Sequence, residues 1–412
     1  MKPAQRWFLS LVLSWIAFLP IHARAQSVPS ENDNNPFPLL AGLEQPVEFW
    51  TKIFTEYSIS QMVFFDPLEM SRIYEVLEVG EENRSNEYVD GERARIAAAH
   101  EVSIERVKAQ RGVKERTAAG LKRSNRYIGQ MQQIFRDRGL PVELTYLPLI
   151  ESSFNSNARS HAGALGMWQF MPATGRQYMR VDRAIDERRD PIESTRAAAS
   201  FLKQAYELLG NWPLAITAYN FGPAGMARAV AEVGSDNLVD VIQKYNGPYF
   251  GYPPKNFYAE FLVAVDIGKN PERYFPGLDL DPPVAIQEVE LRSQTSLAAV
   301  MRSTGLKRDE FLEWNPALAN APKIIPAGYR VKLPVQKQMA AIVETREVSQ
   351  ARETPARQQA QSSVVRHRVK RGETLMQIAQ RYGTSAERIL RINGLRKDSL
   401  LRAGSTVLVP RL

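Results

Sequence analysis

Apolar positions along this chain recur mostly at helical spacing. Between Glu44 and Gly139 the pattern predicts helices, with Leu121, Ile128, Met131 and Phe135 on one face and Arg, Lys and Gln opposite. Breaks near 80–91 and at Gly112 and Gly120 divide that stretch into several helices. From 140 to 270 the helical pattern continues, punctuated by Pro141, the Gly163–Gly175 loop, Gly210 and the turn from Phe221 to Gly225. Ala197–Leu209 and Asn256–Ile267 read as amphipathic helices, and no run of alternating strands interrupts them. The expectation is a compact, mostly helical domain with long functional loops.

After Pro282 the period changes, and the chain repeats itself. Ser296 and Asn315 lie 19 positions apart, as do Thr374 and Asn393, and Gly328–Pro334 and Gly404–Pro410 are both 6 positions apart. Each copy ends in a short apolar stretch before its proline. Two copies of a small strand–helix–helix–strand unit, at 284–334 and 364–412, account for this register. Residues 335–363, rich in Gln, Ala, Arg and Glu, read as a tether between them. The predicted fold class is α+β multidomain: a mostly helical domain with small βααβ modules.

The first residues carry a different signal. Lys2 and Arg6 precede an apolar stretch from Trp7 to Ile21, and Ala23-Arg24-Ala25 forms a small-residue cleavage site. Residues 1–25 therefore read as a secretory signal peptide, 26–43 as a flexible lead-in and 44–135 as an N-terminal helical region. Export with cleavage implies no stable membrane span afterwards, the apolar run being short for one.

Composition narrows the chemistry. A chain of 412 residues with 44% hydrophobic and 24% charged residues is soluble multidomain protein. The absence of cysteine excludes disulfides, thiolate metal sites, cysteine nucleophiles and a lipidated N-terminal cysteine. Four histidines (His22, His100, His161, His367) argue against an all-protein zinc site, and no cofactor is expected. The net charge of +8 is concentrated at the end: residues 364–412 alone carry +8, and the stretch 26–363 sums to −3. A basic tail on an exported chain suits anionic wall polymers rather than nucleic acid.

Candidate catalytic residues cluster between 144 and 258. Glu151 follows the apolar run Leu144–Ile150 and precedes Phe154, surroundings that raise a carboxyl pKa and suit a general acid. The loop Gly163–Phe170 combines Gly166 and Met167 with Trp168, whose flat face fits sugar C–H groups, and Gln169, whose amide can pair with an N-acetyl group. Tyr219 and Asn220 end an apolar helix, where hydroxyl and amide would face a cleft, and Tyr258 opens a later helix.

Together, Glu-Ser at 151–152, Gly-Met-Trp-Gln-Phe at 166–170 and Ala-Tyr-Asn at 218–220 resemble the family 1 lytic transglycosylase domain. The stretch Arg123–Ile267 resembles its murein transglycosylase D subgroup. The resemblance implies a goose-lysozyme-like (SLT) fold at 136–280 that cuts the MurNAc–GlcNAc bond of peptidoglycan. Glu151 would serve as acid and then base, giving a 1,6-anhydro product. It also implies that Ser152 supports Glu151, while Gly166, Met167, Trp168, Gln169, Tyr219, Asn220 and Tyr258 border the sugar; Phe257 competes with Tyr258 for one aligned place. Asp182, Asp186 and Asp190 read as structural ion pairs, and they are the carboxylates to test if the enzyme were instead a muramidase hydrolase.

His367–Leu375, Ile378-Ala379, Tyr382–Thr384, Ile389, Asn393–Leu395 and Leu408–Pro410 resemble a LysM module. That likeness implies a shallow GlcNAc-binding groove formed by Gly372, Thr374 and Leu375 with Asn393, Gly394 and Leu395. The copy at 284–334 lacks the Gly-Glu-Thr and resembles a degenerate module. The combined expectation is a periplasmic, wall-associated enzyme whose partner is the glycan strand. A non-catalytic wall-binding protein is the reading from another class.

Overall fold

The computed structural model describes residues 35–80, 85–335, 345–348, 364–370, 373–382, 384–386, 389–390, 393 and 406–410. The expected signal peptide lies outside the described residues. The chain divides into two compact units, one of residues 1–287 with 291–345, the other of 288–290 with 346–412.

The first unit opens differently from expectation. Part of the lead-in is anchored: Phe37 is buried, 5.9 Å from the Trp212 ring and 5.0 Å from that of Phe261. The helix Glu44–Thr55 then buries Phe49, Trp50, Ile53 and Phe54. The region expected to be helical holds a three-stranded antiparallel sheet, with Gln61–Asp66 between Glu69–Glu78 and Lys108–Arg111. The physical reason lies in the run Met62–Phe65. Met62 and Phe64 face a small core with Val79, Ile96 and Val107, while Val63 and Phe65 join the main core. A strand buried on both faces loses its alternation, so the apolar run carries no period to read. In Glu69–Glu78, Met70, Ile73 and Leu77 fall at helical spacing and mask the strand.

The main core is helical. Lys114–Ser124, Ile128–Arg136, Leu147–Ser152, Pro191–Leu209, Trp212–Phe221 and Tyr252–Lys269 pack around it. Trp212–Phe221 buries every side chain from Trp212 to Ala218, as an all-apolar helix must. Asp190 caps Pro191–Leu209 by accepting from the backbone N–H groups of Ile192 and Glu193, and Gly210 ends that helix. Gly120 is not the break its sequence suggested. It lies inside Lys114–Ser124, where a Cβ would stand 2.8 Å from Leu149 and 3.0 Å from Ser153, so glycine lets this helix press against the one carrying Glu151.

The first repeat belongs to the same unit. Its helices Leu297–Thr304 and Arg308–Trp314 lead to the strand Arg330–Pro334. Lys332, buried, reaches Asp190 at 2.8 Å and Glu193 at 3.0 Å, while Arg330 meets Glu193 at 2.9 Å. Burial works against ionising Glu193, but Lys332, Arg196 and Arg330 outweigh it and hold the carboxyl well below its ordinary value.

In the second unit, Val364–Arg368 pairs antiparallel with Thr406–Pro410, and Leu375–Arg381 follows the first strand. Val369, Ile378, Ala379, Ile389, Val407 and Val409 form its core. No helix of the described residues is long and apolar enough to cross a membrane.

Candidate active site

Glu151 occupies the last turn of Leu147–Ser152, whose Leu147, Pro148 and Leu149 are buried. The chain then turns sharply, with Ser153 at φ 51° and Phe154 at φ 55°. Two successive left-handed residues other than glycine store strain of about 1–3 kcal/mol each. Burial of the Phe154 ring holds the turn from one side. From the other, Arg123 donates to the Ser153 carbonyl through Nε at 3.1 Å and Nη2 at 2.7 Å. Ser152 donates from its hydroxyl to the Met167 carbonyl at 2.7 Å, tying the acid-bearing turn to the glycine loop.

That loop is rigid. Gly166, at φ 83°, passes so near Arg188 that a Cβ would lie 1.8 Å from its carbonyl oxygen. Arg188 pairs with Asp186 at 2.8 Å and donates to the carbonyls of Gly163 and Phe170 at 3.0 Å. Gln169 adopts φ 50° and donates to the carbonyls of Gly166 at 2.7 Å and Ala158 at 3.2 Å.

Glu151, Ser152 and Gln169 line a cleft of about 570 Å³. The N-terminal region contributes Trp50, Phe54, Gln110, Val113, Arg116 and Thr117 to its lining. Arg123, Arg159 and Glu260 line it as well. Burial raises the Glu151 carboxyl to about 8, so it keeps its proton at neutral pH. No hydrogen bond or ion pair reaches it among the described residues. A protonated acid at the edge of an enclosed groove can protonate a leaving oxygen and then recover the proton as a base.

Several expected contacts are placed elsewhere. Trp168 is fully buried, stacked 6.0 Å from Phe135 with Nε1 donating to Thr195 at 2.9 Å; its flat face fills the core instead of meeting a sugar. Met167 and Gly166 are buried as well. Tyr258 is turned inward and donates to the Pro38 carbonyl at 2.9 Å, and Phe257 is also buried. Tyr219 stands behind the cleft, donating to the Trp168 carbonyl at 2.8 Å. Burial and the nearby Glu151 carboxyl both push its phenol up. Asn220 is exposed and does not line the cleft. Asp182 and Asp186 pair with Arg180 and Arg188, and Asp190 with Lys332, none of them in the cleft.

In the second repeat, Thr374 caps the first helix in a capping box with Gln377, and Leu375 packs on the module core. Asn393 spends its amide internally: Nδ2 donates to the carbonyls of Ile389 and Leu408 at 2.7 Å, and Oδ1 accepts from Leu408 N at 2.8 Å. It holds helix to strand and has no free donor for a glycan. Asn315 does the same in the first repeat, with Phe311 and Lys332 as partners. Gly372, Gly394 and Leu395 lie outside the described residues.

The sequence reading missed Glu260, the arginines and the N-terminal wall. Glu260 had a local signal, an acid between the buried Ala259 and Phe261 in the middle of an apolar helix. The wall had none, because it is assembled from segments far apart in the chain.

Residues 130–240 match the family model of the transglycosylase SLT domain, and residues 367–410 that of the LysM domain. The chain is 28% identical over 289 residues to the membrane-bound lytic murein transglycosylase D of Escherichia coli K12, covering 66% of this chain and 61% of that protein. It thus spans less than two thirds of that relative. A protein of Alteromonas sp. strain M-1 named for tributyltin chloride resistance is 31% identical over 170 residues, 41% of this chain and 80% of the relative. Among solved structures, an inactive mutant of the lytic transglycosylase Slt from Pseudomonas aeruginosa overlaps 37% of this chain and 25% of its own, at 23% identity and a TM-score of 0.30.

Proposed function

We propose that this chain, whose residues 130–240 match the transglycosylase SLT domain and residues 367–410 the LysM domain, is a peptidoglycan lytic transglycosylase with Glu151 as its acid/base. The observation that carries this reading is a carboxyl raised to about 8, without a hydrogen-bond or ion-pair partner among the described residues, on the wall of a cleft of about 570 Å³. Glu151 donates its proton to the glycosidic oxygen between MurNAc and GlcNAc as that bond breaks. The resulting carboxylate then takes the proton of the MurNAc C6 hydroxyl, whose oxygen attacks C1 and closes the 1,6-anhydro ring. Atoms balance without a water molecule, so one acid suffices. The arginines of the cleft suit a substrate whose peptide stems carry carboxylates. Wall association follows from the basic tail and its module, and a periplasmic location from the leader read at the N-terminus.

Mass spectrometry of muropeptides released from purified sacculi tests the assignment. Anhydro ends from the native protein, absent with Glu151→Gln, are the expected result. Reducing ends would make it a muramidase. Intact sacculi that still retain the protein would make it a binding protein.

A further inference from the structure

Glu260 shares the cleft with Glu151, yet the reaction just described does not use it. It projects from Tyr252–Lys269, one helical turn after Asn256, whose amide oxygen accepts from Trp50 Nε1 at 3.1 Å. Among the described residues no hydrogen bond or ion pair reaches the Glu260 carboxyl. The cations of the cleft do not serve it: Arg123 is committed to the Ser153 carbonyl, and neither Arg116 nor Arg159 forms an ion pair with it. The neighbouring titratable groups are Glu151 and Tyr252, with Lys108 over the Tyr252 ring at 4.4 Å.

Glu260 is half-buried on the cleft wall, so its carboxyl is left to bond with whatever fills the cleft, solvent or ligand. Burial, helped by the Glu151 charge, raises the Glu260 carboxyl to about 8. At neutral pH it therefore offers one O–H donor and one carbonyl acceptor, a combination matched by sugar hydroxyls and N-acetyl groups. We propose that Glu260 is a substrate-binding residue that hydrogen-bonds a hydroxyl or N-acetyl group of the saccharide lying against Glu151. The inference rests on the glycan reading of the cleft, although not on how the bond is cut. Glu260 also stands outside the segment matched by the family model, which ends at 240.

The test uses the full chain and two probes. Titration calorimetry with N-acetylglucosamine hexamer is done on Glu151→Gln and on Glu151→Gln with Glu260→Leu, so that turnover plays no part. Release of muropeptides from sacculi is then compared among native protein, Glu260→Gln and Glu260→Leu. The amide keeps both a donor and an acceptor, so Glu260→Gln should retain more of the native turnover than Glu260→Leu does. Glu260→Leu should lose roughly 10- to 100-fold in hexamer affinity and in kcat/KM while still forming anhydro ends. Thermal melts keep the result interpretable, since leucine should melt no lower than glutamate at this half-buried position. Unchanged affinity and turnover in Glu260→Leu would overturn the proposal. Loss of all turnover in Glu260→Gln, with reducing ends from the native protein, would make Glu260 a hydrolytic base and overturn the lytic reading as well. Anhydro ends with unaltered hexamer binding would leave the lytic reading standing and remove Glu260 alone.

Discussion

The cleft and the surface where the first repeat docks both draw carboxyl groups out of water, and they handle them in opposite ways. In the cleft, no cation among the described residues pairs with Glu151 or Glu260, and burial keeps both protonated near neutrality. Where the first repeat docks, Glu193 is buried too, yet Lys332, Arg330 and Arg196 keep it ionised. Burial alone therefore does not determine what an acid becomes. The presence or absence of a cation within reach makes it an anchor or a proton donor.

The largest test of this contrast is Glu151→Gln. Its turnover should fall about 10³-fold or more, measured as muropeptide release. Its stability should move the other way. The folded carboxyl is raised from 4.5 to about 8, so the folded state binds more protons than the unfolded state across that window. Native stability therefore falls as pH rises from 4.5 to 8, whereas the amide is spared this loss. The variant should melt like native protein at pH 4 and above it at pH 8, the gain being at most about 5 kcal/mol.

Lys332→Met should destabilise the first unit by about 3–5 kcal/mol in urea titrations, because Asp190 and Glu193 are left buried with less countercharge. Here the pH dependence reverses. The Glu193 carboxyl is depressed, so its contribution is present above about 4.5 and is lost as pH falls through the folded value. The variant should show a shallower acid-side loss than native protein.

A third measurement follows the proton through catalysis. Activity of the native protein should fall as pH rises through about 8, roughly tenfold per unit beyond it, as Glu151 deprotonates. The smallest effect belongs to Arg116→Ala and Arg159→Ala. Both side chains are exposed and neither pairs with Glu151, so each should move that alkaline limb by less than about 0.5 unit. A larger displacement would mean that cations do govern the cleft, and the contrast with Glu193 would fail.

Much of this was legible from local sequence. Leu144–Ile150 before Glu151 announced an acid in apolar surroundings. The paired spacing of Asn315 and Asn393 announced two copies of one unit, and their amides do make matching bonds. What their identity did not reveal was their task, since an exposed ligand contact and an internal tie look alike in sequence.

By itself, then, the sequence determined which helical segments could bury an apolar face and where many of their ends fall, because periodicity and capping act over a few residues. Only the tertiary structure decided what would cover each face. Trp168 met Phe135 and went into the core, while Glu260 met open cleft. Glu193 met Lys332 across 139 residues of chain. Such pairings arise from packing between distant elements, and neither composition nor spacing encodes the distance at which a charge finds its counterion.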